Sequence, residues 1–155
     1  MANLKVKIQE DIILENQDYG SKRTLEISSI NDIYKRIVTV PSGSDATIAT
    51  FQTETSTSDN AIDLENVKYI RVTNLESTHP CKLSLQVAGG EGGTANMSTS
   101  ILLEAGRSFI MGTTHDGIAI DDDSASIVTA LNDLESILID SLSQNITVEI
   151  FVASA

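Results

Sequence analysis

Apolar and polar residues take turns along most of this chain. Leu4, Val6, Ile8, Ile12 and Leu14 share one parity, with Lys5, Lys7, Gln9 and Asp11 on the other. A period of two marks a half-buried strand, so the segment reads as one long strand or two short ones meeting at Glu10. Gln17-Asp18-Tyr19-Gly20 reads as a turn, and residues 24–30 alternate again. Ser29-Ile30-Asn31-Asp32 punctuates the chain before a strand over 34–40, and Pro41-Ser42-Gly43-Ser44-Asp45 is another turn signal. A strand over 46–51 follows, then the polar tract QTETSTSDN, read as a long exposed loop.

The next segment, VKYIRVTNL at 67–75, is apolar on both faces, as a central strand would be. The STHP turn separates it from residues 81–87, where Cys81, Leu83, Leu85 and Val87 point one way and Lys82, Ser84 and Gln86 the other. Residues 101–111 read as a strand broken at Ala105-Gly106, and 112–117 as a loop. From 121 to 143 two patterns compete. Ile127, Leu131, Leu134 and Leu138 recur at helical spacing, with Ser124 or Ser126 as N-cap, yet 134–142 also suits a strand. The reading adopted is a short helix or irregular stretch near 124–132, followed by a terminal hairpin. Its last strand alternates Ile146, Val148, Ile150 and Val152 with Thr147, Glu149 and Phe151.

Eight to ten short strands with turn signals every eight to twelve residues predict an all-β chain: a single-domain antiparallel sandwich over 1–155, jelly-roll-like, with at most one short helix near 124–132. Composition agrees. The 18 Ser and 15 Thr suit turns and exposed strand faces, and 4% aromatics with no Trp imply an aliphatic core. No internal repeat and no linker divides the 155 residues.

Charge narrows the partners. Ten basic against 22 acidic residues give a net charge of −12, which repels phosphate, so neither nucleic acid nor an anionic membrane surface is an expected partner. The basic, tyrosine-bearing stretches Tyr34-Lys35-Arg36 and Lys68-Tyr69-Ile70-Arg71 read as strand residues pairing with acidic neighbours. No run approaches a membrane span, and MANLKVKIQED lacks a secretory signal, so synthesis in a cytoplasm is expected.

Candidate chemistry is thin. Gly90-Glu91-Gly92-Gly93-Thr94-Ala95 matches the G-x-G-x-x-A spacing of dinucleotide loops. Such a loop must open a helix whose N-terminus receives the pyrophosphate, whereas here it opens onto strand-like NMSTSILL and carries Glu91. It reads as a strand connection. His79 and His115 are the available neutral-pH bases, with Asp116 beside the second, but no G-x-S-x-G elbow accompanies them. Asp121-Asp122-Asp123, with Asp116 nearby, offers oxygen ligands to a hard cation without EF-hand spacing, and reads as a solvated acidic turn. Cys81, the single cysteine, alternates with core positions and reads as a structural thiol. No catalytic, cofactor-binding or metal-binding residue is assigned, and no cofactor is expected.

VKYIRVTNLES, SILLEAGRSFIM, VEIFVASA and the opening MANLKVKIQEDIILENQDYG together resemble the small β-rich virion proteins of tailed phages, notably those of marine and cyanobacterial hosts. The tract at 121–144 departs from a minimal version of that pattern. The resemblance implies a non-enzymatic decoration or cement protein on the outer capsid surface, a homotrimer made in the host cytoplasm and partnered with the major capsid protein. A tail- or fibre-associated component is the alternative, and a host-surface glycan binder or hydrolase using His115 and Asp116 is a third. Residues 2–8 are the candidate edge or arm.

Overall fold

Alternation fixes which side chains face inward, and the fold follows once those faces meet. The structure is a computed structural model and describes residues 2–52, 61–87, 97–112, 119, 120 and 132–155. The tract 53–60, the glycine cluster at 90–95, His115, Asp116, Asp121–Asp123 and the proposed helix up to residue 131 lie outside them.

Fourteen strands are described: β1 (Ala2–Glu10), β2 (Ile13–Leu14), β3 (Gln17–Asp18), β4 (Ser21–Ile30), β5 (Asp32–Val40), β6 (Asp45–Gln52), β7 (Ile62–Asp63), β8 (Val67–Asn74), β9 (Cys81–Val87), β10 (Met97–Leu103), β11 (Ser108–Gly112), β12 (Ala119–Ile120), β13 (Asn132–Asp140) and β14 (Ile146–Ser154). A single 3-10 turn, Leu64–Asn66, is capped by Asp63. One sheet runs β11-β8-β14-β5 and the other β10-β9-β13-β6-β7, with β12 on β13. Pairing is antiparallel throughout except for β6 with the short β7.

Among the eight long strands from β5 onward, each connection crosses from one sheet to the other; only β9 and β10, which pair as neighbours, stay in one sheet. That order, two four-strand layers with interleaved Greek keys, is a jelly roll. The all-β sandwich is therefore present, and the strand predicted over 81–87 is β9 residue for residue. The expected terminal hairpin is not. β13 and β14 lie in opposite sheets, as do β8 and β9. Alternation decides which face of a strand is buried but says nothing about its lateral neighbour, so a short connection can arch across the core as easily as it can fold back. The strand read over 134–142 is β13 at 132–140, flanked by β9 and β6.

The core is aliphatic. Val72, Leu83, Ile137, Ile139, Ile146, Val148, Ile150 and Val152 have no solvent exposure and belong to one cluster joining both sheets. At one end, the turns 41–44 and 141–145 are laced together. Gly43 N donates to the Leu142 carbonyl at 2.8 Å, and Ser141 Oγ to that of Pro41 at 2.6 Å. Gly43 sits at φ 69°, where a glycine is least strained. At the end of β8, buried Asn74 uses its whole amide: Nδ2 donates to the carbonyls of His79 (2.9 Å) and Leu103 (3.2 Å), and Oδ1 accepts from Glu76 N (3.0 Å). It thereby ties β8 to the end of β10.

Two costs follow. Ile150→Ala, which opens a cavity between the sheets, is expected to lower unfolding stability by about 3 kcal/mol. Asn74→Ala, which removes a donor from each of two carbonyls and the acceptor of the Glu76 N–H, is expected to cost about 2 kcal/mol. Urea midpoints read at constant slope check both.

Candidate docking surface

The distinctive feature lies outside the sandwich. β1 and β4 pair along nine and ten residues as a ribbon of their own, joined to neither main sheet. Their ribbon ends in a small hairpin, β2 against β3, whose two turn residues Glu15 and Asn16 both take positive φ (49° and 66°). A type I′ hairpin turn requires that sign at both positions, and Asn tolerates it well. The turn thus falls two residues before the Gln17–Gly20 stretch that composition suggested. Gly20 marks where the strands close most tightly: a Cβ there would stand 2.5 Å from the Glu10 carbonyl oxygen.

The ribbon's stem folds back onto the outer face of the four-stranded sheet. Ile27 and Ile30 are buried against Tyr69 and Ala153, with Leu4, Val6, Leu25 and Phe151 packed around them. Tyr69 and Phe151 meet edge-to-face, with ring centroids 6.1 Å apart. A bulge makes this possible. Ser28 and Ser29 together oppose one residue of β1, with Ser29 at φ 64°, so Ile27 and Ile30, three apart, face the same way. This cover explains the burial of Tyr69, an outward residue of β8 that lies beneath the ribbon. Residues 2–8, the candidate edge or arm, form most of β1 and are paired to β4.

The ribbon's path can be traced. Asn31 N bonds the Ser154 carbonyl beside the β5 edge, and Leu25 reaches Gly112 of β11 at the opposite edge. The stem therefore crosses the whole sheet. Beyond Leu25, residues 7–20 and 22–24 are exposed, and at about 3.3 Å per residue a straight ribbon carries the turn roughly 25 Å past β11. On this overhang Ile12, Ile13, Leu14 and Tyr19 show 53%, 76%, 59% and 59% of their surface to solvent. Four carboxylates, Glu10, Asp11, Glu15 and Asp18, lie among them.

The rest of the outer face is a polar ladder. Glu149 on β14 accepts from Arg71 on β8 and pairs with Lys35 on β5 at 3.1 Å; Arg71 also bonds Thr73, which shares a 2.8 Å bond with Ser108. The Arg71 bond first, then Lys35, holds the Glu149 carboxyl below the usual glutamate value. Lys35 and Arg71 thus pair with acid, and Arg36 lies 5.2 Å over the Tyr34 ring. At the β5 edge, Ile33 and Ile37 flank Lys35 on this outer face and are 55% and 63% exposed. Charge is divided unevenly: residues 1–40 hold six bases and six acids, whereas 41–155 hold four against sixteen.

The opposite outer face, on the six-stranded sheet, is a shallow trough floored by Ser84, Gln86, Ser100 and Leu138, with the Lys82–Asp140 pair (3.4 Å) at one end. A backbone bond from Leu142 leads the effects that depress the Asp140 carboxyl. His79 is exposed in its turn and shares a 2.9 Å bond with Thr78. Among the described residues, no group of three or more His, Cys, Asp or Glu is placed to hold a metal, and no helix is long and apolar enough to cross a membrane. Cys81 is fully buried, and burial pushes its thiol up to about 11. No protein-family model, curated protein or solved structure matches the chain.

Two checks follow from these shifts. Because Glu149 titrates lower in the folded chain, its contribution is fully present above the ordinary value of 4.5 and is lost as pH falls through its folded value. The stability gap between the native protein and Glu149→Gln, read by urea melts, is therefore expected to narrow from pH 7 to pH 3.5. Cys81 is expected to resist thiol reagents at pH 8 until the protein is unfolded, which a colorimetric thiol assay reads directly.

Proposed function

We propose that this chain is a non-enzymatic structural protein of a tailed-phage virion, which decorates or cements the capsid exterior as an oligomer contacting coat subunits. The observation that carries the reading is the overhanging ribbon. It presents apolar side chains to solvent at the end of a stem seated on a filled jelly roll, an arrangement suited to gripping another protein surface. A two-stranded ribbon alone is marginal in water, so a contact at its tip completes it.

Other features support the same role. The strand pattern resembles small virion proteins of tailed phages. The acidic body suits the outside of a particle and opposes packing against DNA within it. The hydroxyl-rich trough and the edge strand β10, with Ile101 and Leu102 exposed, offer a second contact zone for coat subunits. Several modest contacts made at once multiply into tight attachment, because later ones become intramolecular.

Purified protein added to phage heads that lack it is expected to co-sediment with them and to raise the temperature at which they release DNA. Heads that neither bind it nor gain heat resistance would sink the reading. A gold label found on tails instead of heads would move the protein to the tail.

A further inference from the structure

We propose that the tip of the N-terminal ribbon docks on the β5 edge of a second copy of this chain, joining copies head to tail. The inference rests on the reading of the ribbon as an assembly device and names its partner.

Position gives the first argument. The stem crosses the four-stranded sheet from the β5 edge to the β11 edge and overhangs β11. Ile33 and Ile37 lie on the same outer face at the other edge, beside the point where β4 hands over to β5. Setting the β11 edge of one copy beside the β5 edge of the next therefore places the first copy's overhang above the second copy's isoleucines. The roughly 25 Å reach exceeds the width of a four-stranded sheet, about 15 Å at the usual strand spacing.

Chemistry gives the second. The tip is apolar with acidic flanks: Ile13, Leu14 and Tyr19 stand among four carboxylates. The β5 face has the matching arrangement, with Ile33 and Ile37 on either side of Lys35, whose exposed ammonium is shared with Glu149 of the same chain. Apolar surface meets apolar surface while carboxylates meet Lys35, a combination that supplies both burial and register. The two patches differ from each other, so the contact is heterologous and propagates until it closes as a ring.

Light scattering coupled to size-exclusion chromatography tests this on the full chain. The native protein is expected to elute at a discrete multiple of its chain mass. Ile13→Asp/Leu14→Asp, altered only at exposed tip positions, and Ile33→Asp/Ile37→Asp, altered only at exposed β5 positions, are each expected to weaken association at least about tenfold. Mixed together, these two variants retain one sound junction per pair and are expected to form two-chain complexes that neither forms alone. Unchanged circular dichroism spectra would confirm that both remain folded. A native chain of single-chain mass across micromolar concentrations overturns the inference, as does a tip variant of native mass. A single-chain protein that still binds heads removes only the self-contact, whereas rings that ignore heads remove only the decoration role.

Discussion

Tyr69, Phe151 and Ala153 project from the side of the four-stranded sheet that a sandwich ordinarily gives to water. Their presence there makes a second apolar layer necessary, and the β1–β4 ribbon supplies it through Ile27 and Ile30. Each of those side chains, buried from water, contributes about 1.5–3 kcal/mol to holding the stem down. An isolated two-stranded ribbon of this length would not persist on its own. The seat on Tyr69 and Ala153 is what turns the first thirty residues from a loose extension into a directed arm, and the overhang exists only because the seat is firm.

Much of this architecture was legible in the sequence because a period of two is a strong signal. β9 and the inward face of β14 are spelled out by strict alternation, and Gly43 and Gly106, at φ 69° and 68°, mark turns where glycine was expected. The jelly-roll class followed from many short strands. What alternation could not convey was lateral order: β13 and β14 look like a hairpin because their connection is short, yet they face each other across the core. Periodicity also failed at 27–30, where the Ser29 bulge puts three-apart isoleucines on one face.

The candidate docking surface was half visible. The early start of a strand suggested an edge or arm, and VKYIRVTNL on β8 was correctly read as central. The sign missed was the break at Ile12-Ile13-Leu14, three successive apolar residues set among carboxylates, which no half-buried strand requires. The companion patch at Ile33 and Ile37 was hidden for a different reason. In sequence these residues look like ordinary members of an alternating strand, and only the sheet order reveals that β5 is an edge whose outer face the ribbon leaves bare.

The left-handed backbone at Ser29 has a consequence for shape. By bending β4 at the bulge just before its end, it sets the heading along which the ribbon leaves the sheet. Any neighbour held by that ribbon would inherit the heading, so the curvature of a larger array would depend on the dihedral angles of one serine.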